Sequence, residues 1–228
     1  MSVGLHAAAR SLARHLEGLA AWGVRDLPAP RQVDGPAERR GEPSPAQALA
    51  QVEQEVVACR RCPLYRTRTH HVLGEGHPRA KLMFVGEAPG REEDLQGRPF
   101  IGAAGQLLTK MIEAIGLKRQ DVYICNVLKD RPPGNRTPLP EEVEACLPFL
   151  QEQIAIVRPK VICVLGAVAA KALLGPHVAI TKIRGTILGY DGILLVPTFH
   201  PAYLLRNPAA KKDAWEDLKK VKTLLEAR

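Results

Sequence analysis

The chain has 228 residues, 46% of them hydrophobic, and a formal charge of +8. That length supports one substantial core, and no stretch reaches the roughly 20 apolar residues needed to span a membrane. Five cysteines are an odd count and no apolar signal segment opens the chain, so a secreted disulfide scaffold is disfavoured and a reducing cytoplasm is expected.

Leu5, Leu12, Leu16 and Leu19 recur at helical spacing ahead of Gly23, which predicts a short amphipathic helical segment over residues 1–25. Proline, glycine and charge dominate residues 26–45, a flexible linker. The folded domain is expected over residues 46–228. Within it four apolar runs read as buried strands: Leu82–Gly86, Val122–Val127, Val161–Gly166 and Ile193–Pro197. Helical patterns fall at Gly105–Ile115, Glu141–Val157, Ala167–Leu174 and about Ala209–Ala227. Thr186–Leu188 and Ile193–Val196 flank Tyr190-Asp191-Gly192, a local hairpin signal. Buried strands separated by helices predict an α/β fold: a three-layer α/β/α sandwich around a central, mainly parallel four-stranded sheet.

Residues 1–50 hold six basic and five acidic side chains, a net +1, which leaves +7 for the other 178 residues. That excess is a weak pointer to a polyanionic partner. In parallel sheets the working residues collect beyond the carboxyl ends of the strands. Three segments stand there: GEAPG after the first strand, NVLKDRPPGNR at the end of the second, and PTFHP after the fourth. Gly86 and Gly90 let a ligand approach the backbone, and Glu87, Glu92, Glu93 and Asp94 are candidate carboxylates. A turn followed by a solvated acidic loop is the competing reading of GEAPG. No Gly-Lys-Ser/Thr follows, so this is not a Walker A loop.

GEAPG…GRPFIGAAGQLL, then YICNVLKDRPPGNRTP…EVEACLPFL, then PTFHPAYLLR together resemble the family 4 uracil-DNA glycosylases, iron–sulfur repair enzymes of bacteria and archaea. The resemblance covers residues 56–220 and leaves the first fifty outside it. It implies cleavage of the N1–C1′ bond of uracil in DNA, opening base excision repair, by a cytoplasmic monomer. A base must leave the stack before that bond can be reached.

By the same resemblance, Phe100 stacks on the flipped base, Asn126 reads its edge, and Glu87 and Ala88 bracket it through their backbone. An asparagine amide accepts from uracil N3–H and donates to O4, whereas cytosine presents the opposite pattern. His200 would donate to uracil O2 as charge builds there, either as a neutral donor or as imidazolium. Glu93 is the first candidate for placing water and stabilising an oxocarbenium-like sugar, with Asn135 second. Arg131, Arg136 and Arg206 would hold phosphates. Tyr203, Leu204 and Leu205 would enter the helix to support flipping, unless they seat the C-terminal helix instead.

CRRCP, residues 59–63, is a pair that can open a disulfide staple, a zinc knuckle or an iron–sulfur site. The resemblance implies a [4Fe–4S] cluster on Cys59, Cys62, position 130 and Cys146. Position 130 is aspartate here, in KDRPPGNR. The expected set is therefore three cysteines and Asp130, holding four irons, three irons, or an oxidation-prone cluster. Zinc on the same four residues is the alternative. Arg60, Arg61, Arg66 and Arg68 surround the first pair. Cys125 is expected to face the packed layer behind Asn126, and Cys163 to be a buried hydrophobe.

Two rival functions stand beside the glycosylase. One is a relative that captures uracil-DNA covalently, which would carry an extra histidine-bearing loop after the second strand. The other is a noncatalytic metal-bearing DNA-binding module, docking a protein partner through residues 1–50.

Overall fold

A computed structural model describes residues 43–227. The expected segment over 1–25 and almost all of the linker over 26–45 lie outside the described residues.

Helix α1 (Pro45–Ala58) starts where Ser44 and Gln47 cap each other reciprocally, with Pro45 in the first turn. Leu49, Val52 and Val56 form its buried stripe. Six strands follow: β1 (Glu75–Gly76), β2 (Leu82–Gly86), β3 (Tyr123–Asn126), β4 (Val161–Leu165), β5 (Leu188–Tyr190) and β6 (Ile193–Thr198). The remaining helices are α2 (Arg91–Gln96), α3 (Ala103–Ala114), α4 (Pro140–Val157), α5 (Ala167–Leu174), α6 (Ile180–Ile183), α7 (Pro201–Arg206) and α8 (Lys211–Glu226).

The sheet order is β1-β3-β2-β4-β6-β5. The three inner pairs are parallel, and both outer strands run antiparallel to their neighbours. The expectation of a four-stranded, mainly parallel sheet is therefore corrected to a six-stranded mixed one. Each edge strand has only two or three residues. Such strands bury one partner at most and leave no apolar run to find. The hairpin around Asp191-Gly192 is present, but its first arm is β5, Leu188–Tyr190, rather than Thr186–Leu188, and it pairs antiparallel with β6 at the sheet edge.

Alternation along the strands divides the core into two layers. Met83, Val85, Cys125, Ile162 and Val164 join one cluster with residues of α1, α4 and α5. Leu82, Phe84, Ile124, Cys163 and Leu165 join the other with residues of α3, α7 and α8. On α3, Leu108, Met111 and Ile112 are buried at i, i+3 and i+4, each contributing about 1.5–3 kcal/mol by burial. Cys125 and Cys163 are fully buried, one in each layer, and burial pushes both thiols up from their ordinary value. At the exit of β6, Thr198 Oγ1 donates to buried Asp217 Oδ2 of α8 at 2.8 Å, and Arg184 holds the same carboxylate.

Candidate active site

The carboxyl ends of β2, β3 and β6 open on one cavity of about 480 Å³, within the range that takes a small molecule. Glu87, Ala88, Glu93, Phe100, Asn126, Asn135, Arg136, His200, Tyr203 and Arg206 all line it, together with Thr137. Three chain segments that are far apart in sequence thus meet on one rim.

Gly86 ends β2 directly behind two of the wall residues, Phe100 and Asn126. A Cβ there would lie 2.4 Å from the Phe100 ring and 2.5 Å from Asn126 Oδ1. Only glycine lets both side chains close over the end of β2. Phe100 is buried against Phe84 and Leu108 but still presents itself to the cavity. Its φ is 50°, a left-handed conformation that costs a non-glycine residue about 1–3 kcal/mol. Contacts on both sides hold it. Arg119 donates to Pro99 O at 2.5 Å, and Glu93 Oε1 accepts from the amides of Ile101 and Gly102 at 3.0 Å each.

The other oxygen of Glu93 accepts from Gly90 N at 3.1 Å. The carboxylate is thus fixed by three backbone N–H groups while it lines the cavity. Glu87 is half-buried, and desolvation raises its carboxyl above the usual range. Asn126, 2% exposed, ends β3 with Oδ1 buried and unpartnered, the one such side-chain atom among the described residues. A buried acceptor left open is costly, by about 1–3 kcal/mol. The residue lines the cavity, so this open acceptor belongs to the candidate site.

His200 caps α7, with Nδ1 accepting from Ala202 N at 3.1 Å. That bond leaves the proton of the neutral ring on Nε2. Burial pushes the imidazole down to about 4, Arg206 adds to the effect, and Glu93 opposes it. Gly166, at φ 88°, admits the ring, since a Cβ there would sit 2.9 Å from His200 Cβ. Of the two protonation states expected for His200, the fold favours the neutral one.

The basic rim is less uniform than the sequence suggests. Arg206 is exposed beside the cavity. Arg131 Nε donates to Asn135 Oδ1 at 2.6 Å, fixing that amide, and Arg131 itself does not line the cavity. Arg136 forks onto buried Glu142, at 2.8 and 2.6 Å. Tyr203 and Leu205 are exposed on α7, whereas Leu204 is buried in the layer that α7 shares with α3 and seats the helix.

The expected metal ligands do not form a site. No group of three or more His, Cys, Asp or Glu side chains able to hold a metal occurs among the described residues. Both carboxylate oxygens of Asp130 accept from Arg68, at 2.9 and 3.1 Å. The same guanidinium donates to Val56 O and Val57 O at the end of α1. Cys62 and Cys146 share a hydrogen bond that favours charge on Cys62 and pushes the Cys146 thiol up. The iron–sulfur expectation on Cys59, Cys62, Asp130 and Cys146, and the zinc alternative, are therefore corrected. The fourth position is spent on an ion pair, and the set is incomplete without it.

The family model described as the uracil DNA glycosylase superfamily matches residues 73–219. The chain belongs to that superfamily. The chain is 49% identical over 178 residues to a type-4 uracil-DNA glycosylase of Thermotoga maritima, covering 76% of this chain and 93% of the relative. It is 43% identical to the type-4 enzyme of Archaeoglobus fulgidus, over 77% and 92% of the two chains. A type-5 uracil-DNA glycosylase of Pyrobaculum aerophilum matches at 32%, over 67% and 81%. Identity and coverage place the chain with the type-4 enzymes, and the superfamily's glycosylase activity comes with that membership. No helix among the described residues is long and apolar enough to cross a membrane.

Sequence reasoning passed over Gly86 as a packing residue, Thr137 as a wall residue, and the buried lysine of NVLKD. A lysine placed directly after the apolar pair Val127-Leu128 was the available signal for the last.

Proposed function

We propose that this glycosylase takes a uracil extruded from DNA into the cavity and hydrolyses its N1–C1′ bond. The unpartnered, buried Oδ1 of Asn126 carries the reading. It can accept from uracil N3–H while the amide nitrogen donates to O4. Cytosine offers an acceptor at N3 and a donor at C4, so both contacts would fail. Phe100 supplies the stacking face, and Glu87 and Ala88 border the base.

As the bond to C1′ lengthens, negative charge moves onto the leaving ring and positive charge onto the sugar. The neutral Nε2–H of His200 donates to O2, which stabilises the departing anion without a prior proton transfer. The Glu93 carboxylate, fixed by its three N–H donors, faces the sugar cation electrostatically and orients a water for C1′. Water adds hydroxyl to C1′ and the remaining proton ends on the released base. Asn135, oriented by Arg131, is placed to hold that water from the other side. Arg206 and Arg131 contact phosphates, and Arg136 does so with less freedom because Glu142 holds it. Tyr203 and Leu205 are the side chains free to occupy the vacated stack.

The test is incubation of the protein with duplexes that differ only in a central U·G or C·G pair. Uracil release and an alkali-labile abasic site from the first alone are expected. No release from either overturns the proposal. Stable DNA–protein adducts in place of turnover would favour the covalent-capture alternative.

A further inference from the structure

We propose that Lys129 is a positioning residue for base recognition, acting through Asn126. This rests on the reading that Asn126 contacts uracil. Lys129 is 1% exposed, and its Nζ donates to Asn126 O at 2.6 Å and to Gln153 Oε1 at 2.5 Å. Gln153, also fully buried, donates onward to Leu73 O at 2.9 Å and Tyr123 Oη at 3.0 Å. The main chain of Lys129 is held as well, its carbonyl accepting from Val72 N at 2.8 Å.

Asn126 is the last residue of its strand, and the backbone bonds beyond it run from Val127 N to Gly86 O and from Leu128 N to Glu87 O, both at 3.0 Å. The Lys129 ammonium holds the Asn126 carbonyl. It ties the Asn126 carbonyl to α4 through Gln153, to the start of β3 through Tyr123, and to the segment before β1 through Leu73. A lysine is a poor space-filler, because removing its charge from water costs several kcal/mol and an apolar side chain would fill the same volume. The geometry accounts for its presence: one N–H holds the Asn126 carbonyl while a second anchors the ammonium on Gln153, and with that carbonyl the amide on the same residue is fixed. A displacement of about 1 Å in such a group can lower a rate by about 100-fold.

A double-mutant cycle with single-turnover uracil excision tests this. Lys129→Met is expected to slow excision by about 10–100-fold when Asn126 is present. In the Asn126→Ala background the same change should cost no more than about 2-fold, since nothing remains to aim. Equal losses in both backgrounds would mean that Lys129 only supports the fold, and no loss in the first would also overturn the proposal. If Lys129→Met does not fold, Gln153→Met goes through the same cycle, with a smaller loss that again vanishes without Asn126. A wild-type protein that released no uracil would fail the functional reading itself. Normal excision with an additive cycle would remove the role of Lys129 alone.

Discussion

Phe100 and His200 lie with ring centroids 5.6 Å apart and planes inclined by 34°. One comes from the loop after α2 and the other from the exit of β6, and Gly86 and Gly166 make room for them at two neighbouring strand ends. Stacking face and hydrogen-bond donor are therefore set by the sheet rather than by either loop alone.

Phe100→Leu keeps most of the buried volume and removes the aromatic face. Stability should change by less than about 1.5 kcal/mol, measured by urea denaturation. Loss of base stacking is worth about 1–3 kcal/mol, so single-turnover excision should slow by about 10-fold or more. Unchanged excision would place the ring in the core only.

Gly86→Ala inserts a methyl where 2.4 Å separates it from Phe100 and 2.5 Å from Asn126. Overpacking of this kind costs about 1–3 kcal/mol. Excision should fall further than stability alone explains, because Phe100 and Asn126, the side chains proposed to contact the base, must both move. A variant that melts lower but turns over normally below its transition would contradict this packing role.

His200 is held neutral, its imidazole lowered from 6.5 to about 4. The kcat/KM profile should therefore show no His200 inflection near 6.5, and the limb assigned to His200 should appear near 4. The sign for stability follows from linkage. Between about 6.5 and 4 the unfolded chain binds a proton that the folded chain refuses, so this contribution fades as pH falls through that window. A limb at 6–7 that disappears in His200→Asn would contradict the neutral donor.

Asp130→Ala leaves the Arg68 guanidinium, 11% exposed on its side chain, without its carboxylate. Removing one partner of a buried pair costs about 3–5 kcal/mol, and the loss should appear as a lower melting temperature. Substituting both residues by apolar ones, Arg68→Met with Asp130→Leu, should recover much of it. Equal stability of Asp130→Ala and wild type would show that the pair carries no structural weight.

Arg206→Ala should weaken binding of duplexes with and without uracil alike, and reduce the slope of log affinity against log salt by about 1. Fluorescence anisotropy across a salt series reads both. A loss confined to uracil-containing duplexes would move Arg206 from the phosphate to the base.

The inner sheet and the rim were legible because four mostly apolar runs read as buried strands, and three of them lead into motifs that expose polar groups or bare backbone. Asn126 and His200 stood out only through the family resemblance, and the packing role of Gly86 was not legible at all. The edge strands were not legible: Glu75–Gly76 sits in GEGHP with no alternation, and only pairing with Ile124 and Tyr123 defines it. Linear spacing also misled at Asp130. A ligand pattern read along the chain takes no account of Arg68, 62 residues away, which competes for the same oxygens. Leu204 shows the same limit, since neighbours Tyr203 and Leu205 are exposed on the helix that it anchors.

The central claim is that Asn126 reads the base, and it is tested by Asn126→Ala in two assays: single-turnover uracil release, and affinity for the abasic product duplex. Release is expected to fall by about 100-fold or more, with affinity for the product duplex within about 3-fold of wild type. Equal losses in both assays, or undiminished release, would contradict it.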